Sequence, residues 1–413
     1  MSNLAIGRKV ELFNTYDNVY TLSVNGVLLH SVYHPLKEAV NFAKYREKKV
    51  KDKRNIVIYG IGLGYHILEL LKVIDEKSNV NVFDVDEEVM KAALQYGVLK
   101  EILKDKRVSV SCTYNGDTLK KLSKCIDESD AFIIYKPSAR VLPEGCNEFK
   151  EALQRFEIAV IEFERHGEIA KKNSLLNEKM KFDTIEKFFK EYNFRNKKII
   201  IAAAGPSLGL NIGKIKKIRD KAIIFAVGSS LKTLMNAGIK PDMITIIDPQ
   251  EIVYNQIEGY ENLDVPMCFL NIASNLAVTK YNGPKFMFYN SGDGVVNEDK
   301  VIDTGKSVAT AALSIAIKED ANSVIFVGQD LAYLNNKSHC DDYIHGNAPV
   351  FNSDLTKKVE GVDGSILKTT SGWLYMKKWL EDKIAKYTHI KFINCSAGAR
   401  IKGTINADIE KIF

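Results

Sequence analysis

Residues 197–212, KKIIIAAAGPSLGLNI, carry an apolar run that stops at Gly205-Pro206-Ser207. The run from Ile199 to Ala204 is too short for a helix and too apolar for an exposed strand. It fits a central parallel strand covered on both faces. Gly205 lets the backbone turn without a Cβ, Pro206 suits the first turn of a helix, and Ser207 is a capping residue. A strand that ends in small residues and opens a helix leaves backbone N–H groups converging on one point, a place for an anion such as phosphate. Gly-Pro-Ser is also ordinary turn chemistry. One helix terminus contributes only about 0.3–1 kcal/mol, so a ligand site there needs further contacts from elsewhere in the chain.

The same strand-turn-helix pattern repeats downstream. Strand candidates AIIFAV, MITIID, PMCFLN, KFMFYN, SVIFVG and IKFINC follow, most of them separated by helical patterns. The second ends at Gly228-Ser229, the third at Asp248-Pro249, and Thr304-Gly305-Lys306-Ser307 opens the helix VATAALSIAIKE. In a parallel sheet these turns share the carboxyl-end rim, where ligands bind. Thr304-Gly305-Lys306-Ser307 is not a P-loop, because residue 300 is Lys where the motif needs its first Gly.

Upstream, NIVIYGIGLGYHILELL holds Gly60, Gly62 and Gly64, and Asp84 ends the next strand. Glycines near a strand end with a carboxylate about twenty residues on are the layout of a nucleotide or S-adenosylmethionine site, though the spacing departs from G-x-G-x-x-G. A purely structural turn, with Asp84 to Asp86 capping the next helix, is the stronger reading. Earlier still, TLSVNGVLLHS places Asn25-Gly26 between apolar runs, a hairpin signal.

These patterns predict an α/β protein with two Rossmann-like doubly wound domains. A small β-rich cap (1–50) precedes the first (51–145), a helical linker (146–195) follows, and the second domain spans 196–413. Composition agrees with a globular chain: 413 residues, 46% hydrophobic, 27% charged, formal net charge +6. Mixed Lys and Glu indicate no nucleic-acid surface. No apolar run approaches the ~20 residues of a membrane span, and the first residues lack the apolar core of a signal peptide. Six scattered cysteines without a C-x-x-C pair indicate neither zinc nor a disulfide framework, which points to reduced thiols and a cytoplasmic location.

His339, in NNKSHCDDYIHG, follows Asp330 and Tyr333 closely. A polar loop with His, Tyr and Asp beside a ligand rim is a general-base neighbourhood. Tyr343 and His345 are rivals. Trp373, Tyr375 and Trp379 recur at helical spacing and read as a core-facing stripe.

The segments LHSVYHPLKEA, GIGLGYH, AAGPSL, GIKPDMITIIDP, GKSVATAALSIA, GQDLAY, SHC and SAGARIKG together resemble the motility-associated factor (Maf) proteins of bacteria. The resemblance implies a flagellin glycosyltransferase with an N-terminal Rossmann-like domain and a central sialyltransferase-like domain, similar also to 6-hydroxymethylpterin diphosphokinase MptE. The implied donor is a CMP-activated pseudaminic or legionaminic acid, and the implied acceptors are flagellin Ser and Thr hydroxyls. In the sialyltransferase comparison, the Gly205-Pro206-Ser207 and Ser307 turns match positions that touch CMP. Gly228-Ser229 departs from the Asn-Gln found there, and LKTTSGWLYMKKWLE lacks the family's histidine.

The expected donor site is thus Gly205, Pro206, Ser207, Gly228, Ser229, Asp248, Thr304, Gly305 and Ser307, with Asp330, Tyr333 and His339 at the reaction centre. The expected transfer is inverting and needs no metal or other cofactor. Pyrophosphoryl transfer of the diphosphokinase type, a non-catalytic flagellin-binding factor, and a methyltransferase using the first domain remain open. The sequence leaves the oligomeric state open too.

Overall fold

A computed structural model describes residues 8–413 apart from 114, 128, 292–296 and 341–356. Internal contacts divide the chain into two compact units, Met1–Ile161 and Glu162–Phe413.

The first unit opens with a three-stranded antiparallel sheet: β1 (Val10–Asn14), β2 (Tyr20–Val24) and β3 (Val27–Leu28). Asn25 and Gly26 join β2 to β3 with φ of 50° and 80°. Two successive positive φ values give a turn whose twist matches that of the strands. Helix α1 (Pro35–Val50) starts on Pro35, whose missing N–H has no partner to lose there. Next come β4 (Asn55–Tyr59), α2 (Tyr65–Leu71), β5 (Asn79–Asp84), α3 (Glu87–Tyr96), α4 (Leu99–Ile102), β6 (Val108–Cys112), α5 (Gly116–Asp127), β7 (Ala131–Ile134) and α6 (Lys136–Arg140). The sheet order is β6-β5-β4-β7 and every pairing is parallel. Strand succession therefore reverses beside β4.

Helix α7 (Asn147–Lys179) follows, then β8 (Asp183–Thr184) and α8 (Ile185–Glu191). Residues 183–191, placed in a linker by sequence, belong to the second unit's architecture. β8 pairs with the edge of its sheet, and Ile185 and Phe188 of α8 are fully buried in its core.

The remaining elements are β9 (Lys198–Ala202), α9 (Ser207–Lys217), β10 (Ile223–Val227), α10 (Leu231–Asn236), β11 (Met243–Ile246), β12 (Met267–Leu270), α11 (Asn275–Lys280), β13 (Lys285–Phe288), α12 (Val308–Lys318), β14 (Ser323–Val327), β15 (Lys357–Glu360), β16 (Ile366–Thr369), α13 (Ser371–Ile384), β17 (Lys391–Asn394) and β18 (Ile405–Asn406). Nine strands form one sheet in the order β18-β17-β14-β9-β10-β11-β12-β13-β8, with parallel pairing throughout. Alternate residues of β9 enter opposite cores: Ile199 and Ile201 on one face, Ile200 and Ala202 on the other. That two-sided burial explains why the strand reads as a continuous apolar run. Helix α12 lies deep in the first of these cores, with every residue from Ala309 to Ile317 buried. The sheet grows in one direction from β9 through β10 and β11, and in the other through β14 and β17. The crevice outside the carboxyl ends of β9 and β14 is thus the switch point, the place where such sheets bind ligands.

The fold is a mixed α/β one, with parallel sheets and a small antiparallel β region near the start. β9 ends two residues before the apolar run does. At Ala203 the N–H still reaches Val327, and the Gly205 N–H then bonds the Gly328 carbonyl at 2.8 Å, carrying the chain into the turn.

Candidate functional site

A cleft of about 120 Å³ lies at this switch point. Gly205, Ser229, Ser307, Gln329, Asp330 and His339 contribute polar edges, and Val308, Trp373 and Met376 contribute apolar walls. Among the expected site residues, Gly205, Ser229, Ser307, Asp330 and His339 are brought together here.

Asp330 is almost wholly buried, at 2% exposure. Its carboxylate accepts the Ser207 backbone N–H at 2.8 Å, the Ser207 hydroxyl at 2.6 Å and the Ala397 N–H at 3.2 Å. Burial pushes its pKa up, and the hydrogen bonds from Ser207 pull the other way. Ser207 is the first residue of α9, so this carboxylate caps that helix from β14's end and occupies part of the anion position expected for a ligand. A Cβ on Gly205 would come within 2.4 Å of the same carboxylate and 2.3 Å of the Gly328 oxygen. Glycine is needed at 205 because Asp330 is packed there.

The other expected residues stand behind the cleft wall or away from it. Pro206 and Ser207 begin α9. Gly228 is packed on the Gln256 side chain, where a Cβ would lie 2.2 Å from Oε1. Thr304 donates its N–H and hydroxyl to Asn290 Oδ1 at 3.0 and 3.1 Å. Gly305, at φ +49°, lies against the Trp379 ring. Asp248 is exposed and accepts from the Gln250 N–H at 3.2 Å. Tyr333 packs against Trp373 at a tilt, with ring centroids 4.9 Å apart, and Trp373 also meets His339 edge-on at 6.4 Å. His339 Nδ1 is 3.1 Å from the Ser338 hydroxyl. Tyr343 and His345 fall outside the described residues.

Trp373 adds to the sequence reading. It does pack on the core, as the helical spacing implied, yet it also lines the cleft and links Tyr333 to His339. Gln329 and Met376 also line the cleft and were not singled out. GQDLAY and the α13 spacing were the available signals, and neither says which side chain faces the ligand.

In the first unit the glycine-rich turn is filled by the chain itself. The Leu63 N–H donates to His30 Nε2 at 2.9 Å, so His30 carries its proton on Nδ1 and donates it to the Tyr135 hydroxyl at 2.9 Å. Tyr135 in turn donates to the Leu29 carbonyl. His66 stacks on Tyr135 at 3.7 Å and donates Nε2–H to the Gly60 carbonyl at 3.0 Å. Burial lowers His30 to about 3 and drives His66 well below its usual value, so both are neutral. A Cβ on Gly62 would sit 2.6 Å from His30 Nε2. Asp84 accepts the N–H groups of Ile61, Val85 and Asp86 at 2.7, 2.8 and 3.1 Å, and burial pushes it up to about 6. Asp86 caps α3 through the Val89 N–H. The glycines and Asp84 thus serve the turn's own packing.

Residues 172–336 match the family described as 6-hydroxymethylpterin diphosphokinase MptE-like. A Maf glycosyltransferase from Magnetospirillum magneticum AMB-1 has the same fold: TM-score 0.52 over 99% of this chain and 72% of that one, at 14% sequence identity. An uncharacterized protein of Treponema pallidum (strain Nichols) is 44% identical over 55 residues, 13% of this chain. That match spans only 26% of the Treponema protein's length. The resemblance drawn from the sequence holds at both levels these comparisons reach: an MptE-like domain in the second unit, and the fold of a Maf glycosyltransferase along the chain. Among the described residues no helix is long and apolar enough to cross a membrane.

Proposed function

We propose that the second unit is a glycosyltransferase. It moves a nonulosonic acid of pseudaminic or legionaminic type from a CMP donor to Ser or Thr hydroxyls of flagellin, in the cytoplasm. The observation that carries this reading is the convergence of the turns at Gly205, Ser229, Ser307 and Gln329-Asp330, together with His339, on one cleft at the sheet's switch point. The shared fold with a Maf glycosyltransferase supports it.

In this reading the phosphate of the donor lies against the small-residue turns. The Ser229 and Ser307 hydroxyls and the first turn of α12 face the oxygen that leaves. His339 takes the proton of the acceptor hydroxyl. The acceptor oxygen bonds to the anomeric carbon as the bond from that carbon to the phosphate oxygen breaks. CMP departs with the electron pair, and configuration inverts in the single displacement. The departing phosphate gains limited charge, which hydrogen-bond donors stabilise without a metal ion. Asp330 is a positioning residue in this scheme, since its oxygens are committed to Ser207 and Ala397. Tyr333 packs against Trp373 and so helps hold that wall of the cleft beside the reaction centre.

Thermal unfolding with CMP in EDTA, with ATP plus Mg²⁺, and with S-adenosylmethionine ranks the ligand classes. Stabilisation by CMP in EDTA is expected, and incubation with the CMP-sugar and flagellin should raise flagellin's intact mass. Stabilisation by ATP and Mg²⁺ alone would move the assignment to a diphosphokinase. CMP binding with unmodified flagellin under all conditions would leave an accessory role.

A further inference from the structure

Cys340 follows His339 directly in the chain, and the two residues have different surroundings. His339 lines the cleft. Cys340 is 5% exposed and belongs to the core that holds Ile200, Ala202 and Leu208. Two contacts seat it there. Its N–H donates to the Ala204 carbonyl at 2.9 Å, and its thiol lies 3.5 Å from the Thr233 hydroxyl. Ala204 immediately precedes Gly205 in the turn after β9. Thr233 is 8% exposed and sits in α10, the helix that follows the Ser229 turn.

The chain reaches Cys340 by an excursion from the end of β14, and its earlier anchors lie on the other side. The Gln329 N–H donates to the Ser396 hydroxyl at 2.9 Å, just past β17. The Leu331 carbonyl accepts the Thr369 hydroxyl at 2.7 Å, and the Tyr333 N–H donates to the Lys368 carbonyl at 2.9 Å, both on β16. Leu334 and Lys337 then exchange N–H to carbonyl bonds at 3.1 and 2.9 Å, which folds the chain back on itself. In the sheet order β17-β14-β9-β10, Cys340 is the residue that carries this segment across to β9 and to the helix after β10.

We propose that Cys340 is a positioning residue, fixing the His339 imidazole at a set distance from the Gly205 and Ser229 turns. This rests on the transferase reading, in which His339 takes the acceptor's proton. A general base works only within hydrogen-bond reach of that proton, and a misplacement of about 1 Å costs on the order of 10²-fold in rate. The thiol serves as a small buried anchor, so a hydroxyl of nearly the same shape should serve in its place.

Cys340→Ala and Thr233→Val remove the contact between thiol and hydroxyl from opposite ends and leave the backbone bond to Ala204. Each should lower kcat for transfer to flagellin by about tenfold or more, with the Kd for CMP unchanged. Cys340→Ser should keep most of the turnover. The double variant should lose no more than the worse single one, because one contact is removed once. A second measurement needs no turnover. In protein labelled at its histidine rings, the His339 resonance is the one missing from His339→Gln. It should shift in Cys340→Ala and Thr233→Val and return in Cys340→Ser, while that of the exposed His389 stays in place. Variants with wild-type kcat and an unmoved His339 resonance would overturn the role of Cys340 and leave the transferase reading standing, whatever their melting temperature. Wild-type turnover in His339→Gln would end the base reading and the role of Cys340 together. Should Cys340→Ala not fold, Thr233→Val decides.

Discussion

The Asp330 carboxylate and Ser207 are joined twice, through the Ser207 N–H at 2.8 Å and its hydroxyl at 2.6 Å, across 123 positions of chain. One side chain thereby sets both the start of α9 and the shape of the turn that edges the cleft. Asp330→Asn keeps the size but supplies one acceptor oxygen where two are in use. It should destabilise the protein by about 1–3 kcal/mol, the cost of a buried group left unpaired, and weaken donor binding. Ser207→Ala should cost less, and the double variant should lose less than the sum, because the pair acts as a unit. Denaturant unfolding of the three variants measures this.

Gly205→Ala tests the same junction from the side of space. The added methyl meets the Gly328 oxygen and the Asp330 carboxylate well inside contact distance. Overpacking of this kind costs about 1–3 kcal/mol. A lowered melting temperature with a larger loss in donor affinity is expected. Gly209→Ala, in α9 where a Cβ meets nothing within 4 Å, is the control and should unfold no more easily than wild type.

His339→Gln should lower kcat by roughly 10²–10⁴-fold with little change in donor Kd, if the imidazole removes the acceptor proton. Steady-state transfer to a flagellin substrate provides the number. Near-normal turnover would move the base to another group of the cleft.

Trp373→Ala should weaken donor binding by roughly tenfold or more, on the scale of lost stacking, while Trp373→Phe retains most of it. Trp379→Ala should act mainly on stability, because that ring covers Gly305. Comparing KM with melting temperature separates the two tryptophans.

The first unit should lose stability in acid. His30 titrates near 3 when folded and near 6.5 when unfolded. Between those values the unfolded chain binds the proton and the native one does not, so stability falls as pH drops below about 6.5. His66 acts in the same direction. Asp84, raised to about 6, acts oppositely: between about 4 and 6 the native state holds a proton the unfolded state lacks, so its contribution is greatest in acid. The two histidines outweigh the one carboxyl. Stability should therefore decline from pH 6.5 to pH 4.5, and His30→Gln should flatten that decline. Urea unfolding across this range gives the slopes.

Much of the fold was legible because the sheet strands are short, apolar and separated by helices. KIIIA, IIFAV, MITI and SVIFV are buried on both faces, which leaves no other place for such runs. The hairpin at Asn25-Gly26 was legible because two positive φ values demand those residue types. Residues 183–191 were misplaced because a two-residue strand has too few positions to show a period. The cleft was half legible. Small residues at strand ends mark the rim, and Gly205, Ser229 and Ser307 do lie on it. Which carboxylate serves the ligand and which serves the protein depends on partners far away in sequence: Asp330 accepts from Ser207 and Ala397, contacts the chain around it does not reveal.

The long reach from Asp330 back to Ser207 also orders events during synthesis. A nascent chain that has exposed β9 and α9 has the turn at 205–207 but nothing to seat it. The seat arrives with β14, and a further brace, the Ala397 N–H, arrives 67 residues after Asp330. The growing polypeptide therefore carries an unseated turn at 205–207 until β14, and then residue 397, has been added.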